Sequence, residues 1–209
     1  MKIIANGIDI EVEDTGAGSS PGGKERPAVL LIMGLGMQLI AWPPALVQVL
    51  VDAGYRVIRH DNRDIGLSQH FDHTGKPNLV WAALKYRLRC AINPPYSMRD
   101  MAHDAVGVLD ALKVEKAHVV ADHTRASELR RITVPTLVLH GKADPLIPFA
   151  CGEDTAKRIP GARLVGIEGM GHDLPSGVVQ RLLESLLPHL DACHLDAAQL
   201  NPAHSMRLA

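Results

Sequence analysis

Eleven histidines and twenty-three carboxylates are spread through this chain, and two of these residues stand where a proton-transfer pair would be built. Gly141-Lys142-Ala143-Asp144-Pro145-Leu146-Ile147-Pro148 holds an aspartate between an apolar run and a proline suited to open a helix. Gly169-Met170-Gly171-His172-Asp173 holds a histidine on a glycine-flanked loop after the next apolar run. Histidine is the usual general base near neutral pH, and a carboxylate beside it fixes the ring tautomer and steadies the imidazolium. Any one of the eleven histidines is more often structural than catalytic. An aspartate loop and a histidine loop on successive strand ends, in that order, favour the acid–base reading.

Two further segments follow apolar runs. In Met33-Gly34-Leu35-Gly36-Met37 the glycines let the backbone turn sharply and aim N–H groups at a developing oxyanion. Read instead as a dinucleotide loop, Gly34-x-Gly36 would need a third glycine at position 39, which is Leu39. His60-Asp61-Asn62-Arg63-Asp64-Ile65-Gly66-Leu67-Ser68 offers an aspartate and an arginine, but a turn of this composition reads as a structural brace. Gly18 to Glu25 nearly spells a phosphate-binding loop. Glu25 replaces the metal-binding hydroxyl there, and a strand rather than a helix follows, so no anion site forms. No cofactor and no metal is expected.

These loops need strands to carry them. Ile3 to Ala5 and Ile8 to Val12 read as short strands joined by Asn6-Gly7, a hairpin dipeptide. Ala28 to Met33 is a continuous apolar run, as in a strand covered on both faces. Pro43 and Pro44 suit the first turn of a helix carrying Leu46, Val49 and Leu50, and Tyr55 to Arg59 is the next strand. Leu79 to Leu88 reads as a helix ended by Asn93-Pro94-Pro95. Ser97 and Asp100 form a capping box ahead of a helix with Met101, Ala105, Val108, Leu109 and Leu112 on one face. Ala117 to Val120, Thr136 to His140 and Ala162 to Ile167 are further strands, and Pro148 opens a helix ending near Ile159. Val178 to Leu187 make the apolar face of a last helix, stopped by Pro188. This alternation predicts the α/β class, with a mostly parallel sheet and flanking helices. One domain over residues 1–190 is expected, followed by a loosely ordered tail, 191–209. Strand ends are where such open sheets place their chemistry.

Composition removes several function classes. Apolar residues make up 46% and charged residues 22%, an ordinary globular balance, and 3% aromatics leave Leu, Val, Ile and Ala to fill the core. The formal net charge of −1 points to no polyanionic partner. Lys76, Lys85, Arg87, Arg89 and Arg99, interleaved with Trp81 and Tyr86, read as a solvated helix face, because a nucleic-acid patch needs a more basic domain. Cys90, Cys151 and Cys193 are far apart and without metal-ligand spacing, which fits reduced thiols in a cytoplasmic protein. Met1 to Glu13 is too acidic for a signal peptide, and no stretch approaches the roughly 18 apolar residues of a membrane span. A soluble cytoplasmic protein with no nucleic-acid or membrane partner is expected. Its oligomeric state is not legible.

Together these segments resemble the α/β-hydrolase fold family, in its carboxylic ester hydrolase branch, over residues 1–120 and 133–190. The resemblance implies that Asp144 is the triad acid, His172 the triad base and the Leu35 N–H an oxyanion donor. It implies a small apolar ester-like ligand, and it makes Asp61-x-Arg63-x-x-Gly66-x-Ser68 the family's turn after its fourth strand. The nucleophile departs from the pattern. In this family the strand matching Ala117 to Val120 runs into G-x-S-x-G, a strained turn that exposes the serine. Here it runs into Ala121-Asp122-His123-Thr124-Arg125, with His123 at the serine position, and no G-x-S-x-G occurs in the chain. Thr124 lies nearest, and Asp122 is one position early for a carboxylate nucleophile of the kind the family's dehalogenases use. Ser68 and Ser127 have no motif, and Cys151 falls in the helix after the aspartate loop.

The family would next supply a helix, a strand and a cap of several helices, where this chain has about one helix. The expectation is a reduced α/β-hydrolase fold without its cap and with strongly impaired hydrolysis. A non-catalytic remnant or binding protein on the same fold is the alternative. Ala121 to Val134 is fourteen residues, just enough for a parallel crossover of roughly a dozen. The strand at Thr136 is therefore expected directly beside the strand at Ala117, by a right-handed connection. Asp144 is expected within hydrogen-bonding reach of His172.

Overall fold

The chain opens on a hairpin because Asn6 and Gly7 both take positive φ, 50° and 78°, as a type I′ turn requires. The turn joins β1 (Lys2–Ala5) to β2 (Ile8–Asp14). β2 runs antiparallel to β4 (Arg56–His60), which pairs in parallel with β3 (Ala28–Ile32), and β3 pairs in parallel with β5 (Ala117–Ala121). The sheet order is β1-β2-β4-β3-β5. This computed structural model describes residues 1–16, 26–34, 36–75, 79–88, 90, 94–121 and 129–199.

Alternation along the strands divides the core between the two faces. Val29, Leu31 and Val57 pack with Leu46 and Leu50 of α1 (Pro44–Asp52) and with α5 (Ser176–Gln199). Leu30 and Ile58 face the other way, onto Ala105 and Val108 of α3 (Met98–Ala111). Covered on both faces, β3 has no room for polar side chains, which accounts for its unbroken apolar sequence. The capping box forms as expected: the Ser97 hydroxyl accepts from the Asp100 N–H, and the Asp100 carboxylate accepts from the Ser97 N–H. α2 (Leu79–Arg87) carries Lys85 and an exposed Arg87, while Lys76 and Arg89 lie outside the described residues.

The turn after β4 is a brace, as its composition suggested. The Asp61 carboxylate accepts the Leu39 N–H at 2.7 Å and the Leu67 N–H at 3.0 Å. The Ser68 hydroxyl donates to the Asp61 carbonyl and accepts the Glu11 N–H. Gly66 is obligatory here, because a Cβ would sit 2.0 Å from Asp61 Oδ2 and φ is +57°. Arg63 makes a two-pronged ion pair with Asp104 of α3, at 2.6 and 2.7 Å, and Asn6 donates to the same carboxylate. Both partners are buried, so each depends on the other for its charge to be tolerated.

Two expectations are corrected. The strand after the crossover, β6 (Leu137–Gly141), does not join β5; it pairs in parallel with β7 (Arg163–Ile167) as a separate two-stranded sheet. The reason lies in the helices. Val178, Val179, Leu182, Leu183 and Leu186 of α5 share a core cluster with Val29 and Leu31 of β3 and with Leu139 of β6. Moving β6 against β5 would strip that packing, and Val119 on β5 is 56% exposed. Nor does Pro188 end the last helix. α5 runs through it to Gln199, burying Leu190 beyond the proline, so the expected tail begins inside a helix, and residues 200–209 lie outside the described residues.

His60 closes β4 with both ring nitrogens buried and without a hydrogen-bond partner among the described residues. Burial pushes its pKa down to about 4, against an upward pull from Asp104 and Asp61. The ring is then neutral in the fold but protonates in the unfolded chain below about 6.5. Its contribution is complete above that value and is lost as the pH falls toward 4. Urea unfolding should therefore show on the order of 2 kcal/mol less stability at pH 5 than at pH 7.5 from this ring alone. The His60→Leu variant should show a correspondingly flatter profile across that interval.

Candidate functional site

Asp144 follows β6 and His172 follows β7, so the parallel pairing of these strands brings both loops to one sheet edge. Two backbone bonds join the loops there, and a third closes the turn of the histidine loop. The Lys142 N–H donates to the Ile167 carbonyl, the Ala143 N–H to the Met170 carbonyl and the Met170 N–H to the Ile167 carbonyl. Lys142 and Glu168 add an exposed ion pair at 2.6 Å. Gly169 turns the histidine loop with φ +70°.

Gly141, the last residue of β6, permits the contact. A Cβ there would lie 2.3 Å from the Met170 carbonyl oxygen and 2.6 Å from that of Gly171. Only glycine lets the histidine loop lie against the strand so closely. Sequence reasoning noted this glycine but gave it no role. The available signal was its place, at the strand end directly ahead of the aspartate loop.

The Asp144 carboxylate is held from two sides. Oδ1 accepts the Leu146 and Ile147 N–H groups at 2.8 and 2.9 Å, and Oδ2 lies 3.0 Å from His172 Nδ1. Burial raises the Asp144 pKa, but the Ile147 N–H, the His172 ring and the Leu146 N–H together outweigh it and hold the carboxyl below its ordinary range. An ionised Asp144 makes Nδ1 the protonated nitrogen of His172, which leaves the lone pair on Nε2. The Asp144 side chain is 6% exposed and that of His172 is 34% exposed, so the ring is anchored on its inner side and open to a reacting molecule. The expected contact is present.

The other sequence-selected residues fall elsewhere. Leu35 lies outside the described residues, between Gly34, whose carbonyl accepts the Met37 N–H, and Gly36, whose φ is +77°. Residues 122–128, with Asp122, His123, Thr124 and Ser127, also lie outside them, as does the Gly18–Glu25 loop. Ser68 is buried in the brace, and Cys151 is exposed on α4 (Phe149–Arg158), so neither joins the pair. Among the described residues no group of His, Cys, Asp and Glu could hold a metal ion. No helix among them is long and apolar enough to cross a membrane.

Residues 111–189 match the family model described as TAP-like protein. Rhodomycin D methylesterase DnrP of Streptomyces peucetius is 42% identical over 69 residues, which are 33% of this chain and 23% of that protein. A putative carbamate hydrolase, RutD of Variovorax paradoxus, is 33% identical over 99 residues, 47% of this chain and 29% of its own. The matched stretches thus span under a third of these relatives. Among solved structures, the enol-lactonase of Burkholderia xenovorans LB400 superposes with a TM-score of 0.69 at 16% identity, covering 91% of this chain and 100% of the other. An esterase from Exiguobacterium antarcticum superposes at 0.64 and 19% identity, covering 91% and 98%.

The Gly141→Ala substitution should force the Met170–Gly171 backbone away from β6. Overpacking of this kind costs about 1–3 kcal/mol. Thermal unfolding should register that loss, and a crystal structure of the variant should show the Asp144–His172 contact lengthened or broken.

Proposed function

The chain has the α/β-hydrolase fold, and on it we propose an ester-hydrolase-like protein that keeps its acid–base pair while its hydrolysis is strongly impaired. The observation that carries this reading is the 3.0 Å contact between His172 Nδ1 and Asp144 Oδ2. Against it stands the sequence after β5, where His123 occupies the serine position between Ala121 and Arg125. Without a serine alkoxide no acyl-enzyme forms. What remains is attack by water: His172 Nε2 takes a proton from the water as its oxygen bonds to the carbonyl carbon. Asp144 steadies the imidazolium, and the Leu35 N–H receives the oxyanion. The same proton then passes to the departing alkoxide as the ester C–O bond breaks. The substrate proposed is a small apolar ester-like molecule, and relatives named for methyl-ester and carbamate hydrolysis support its ester-like part alone. Cys90, Cys151 and Cys193 form no disulfide among the described residues, which supports a cytoplasmic setting.

One observation favours the second reading, a non-catalytic binding protein. The strand that leads toward the nucleophile position belongs to the five-stranded sheet, and the acid–base pair belongs to the two-stranded one. No strand ladder sets the distance between them. A nucleophile is defined by its reach to the base, so this separation weakens any substitute at Asp122 or Thr124.

Purified protein should hydrolyse p-nitrophenyl acetate barely above background, and His172→Ala should change that rate little. Triad residues act as a unit, and without the nucleophile only about 10³–10⁴ over water remains, from binding and oxyanion stabilisation. A fluorophosphonate probe should leave the protein unlabelled. Efficient turnover abolished by His172→Ala would overturn this reading, and loss of the same turnover in Asp122→Asn or Thr124→Ala would identify the substitute nucleophile.

A further inference from the structure

Behind the glycine turn lies a cavity of about 310 Å³ that the acid–base pair does not use, at the lower end of the range for small-molecule sites. Ile65, Pro94, Met98 and Met101 give it apolar walls, and Arg63 and Asn62 give it a polar end. The Arg63 guanidinium lies 5.5 Å from the Phe71 ring centroid and 5.1 Å from that of Tyr96, two neighbouring rings whose centroids are 5.6 Å apart. Its Nε and Nη2 are committed to Asp104. Nη1 makes no hydrogen bond to protein among the described residues, and Arg63 lines the cavity, so this nitrogen is the guanidinium donor left for a ligand there. An arginine held by a carboxylate and two rings loses little entropy when a ligand arrives.

We propose that this cavity is a binding site for a small neutral carbonyl compound, whose oxygen accepts from Arg63 Nη1 and whose apolar body lies against Met98 and Met101. The neighbouring charges decide against an anion. Arg63 is already matched by Asp104, Asp100 adds to the same negative field, and Asp64 faces the Tyr96 hydroxyl. A carboxylate entering the cavity would meet a net negative surround, whereas a ketone or ester carbonyl needs one donor and no charge balance. The two methionines suit ligands of varied shape, because an unbranched thioether side chain repacks readily. Binding here does not depend on turnover, so the site stands whether or not the hydrolase reading holds.

The test is binding of 4-phenyl-2-butanone, a ketone that no hydrolase can cleave, followed by NMR of protein labelled with [methyl-¹³C]methionine. The Met98 and Met101 resonances, assigned from Met98→Leu and Met101→Leu spectra, should shift saturably. Met170, beside His172, should stay in place. The anionic analogue 4-phenylbutanoate should bind at least about ten-fold more weakly, as expected where a buried charge finds no free partner. Arg63 is part of a buried ion pair, so the blocking variant is Met98→Trp, on a rim residue that is 43% exposed. It should weaken ketone binding by about ten-fold or more by filling the cavity. The proposal is overturned by shifts at Met170 instead of Met98 and Met101, by equal binding of the carboxylate, by unchanged affinity in Met98→Trp, or by no saturable shift.

Discussion

The apolar face of α5 packs against two sheets that share no strand pairing among the described residues. Val178, Val179, Leu182, Leu183, Leu186 and Leu190 are buried, and they meet side chains of β3 and β4 on one side and of β6 and β7 on the other. At about 1.5–3 kcal/mol for each such side chain removed from water, that face is worth on the order of 10 kcal/mol. A proline inside a helix costs about 3 kcal/mol, so the helix continues through Pro188 rather than stopping there. The same imbalance decides the sheet. Joining β6 to β5 would gain one edge of backbone bonds, each worth only about 1 kcal/mol net, and would lose the packing that α5 supplies to both sheets.

The acid–base pair therefore stands on a unit that is locally complete. β6 and β7 pair with each other, their loops are bonded to each other, and Gly141 removes the one atom that would separate them. The hydrogen bonds that aim His172 come from residues 137–173, and α5 packs beneath them. The contact is made by loops that follow β6 and β7, so the pair can be intact while the nucleophile motif is absent from the sequence. The five-stranded sheet has its own organising network, from Asp61 through Arg63 and Asp104 to Asn6, and it is this network rather than the catalytic geometry that shapes the cavity beside Gly36.

Much of this was legible in the residues, and the rest was hidden for physical reasons. The Asn6-Gly7 hairpin, the Ser97–Asp100 cap and the buried run of β3 are local signals, and each formed where its residues placed it. Asp144 and His172 were legible because successive parallel strands place their following loops side by side. The pairing of β6 was not. Fourteen residues suffice to reach β5, but length says only what is reachable, and the choice rested on packing by a helix that begins beyond residue 175. Pro188 misled for a related reason, since a local breaker was outweighed by tertiary burial of Leu186 and Leu190. The closeness at Gly141 was invisible because a glycine's role depends on which backbone approaches it.

The proposed role of Asp144, to hold His172 as a poised base, is tested most directly by long-range ¹H–¹⁵N correlation spectra of the imidazole rings at pH 7.5, with assignment by comparison with His172→Gln. Neutral His172 should carry its proton on Nδ1. Asp144→Asn, whose amide can donate to the ring, should erode or reverse that preference. A wild-type ring protonated on Nε2, or one whose tautomer is indifferent to Asp144→Asn, would contradict the assignment of Asp144 as the group that aims the base.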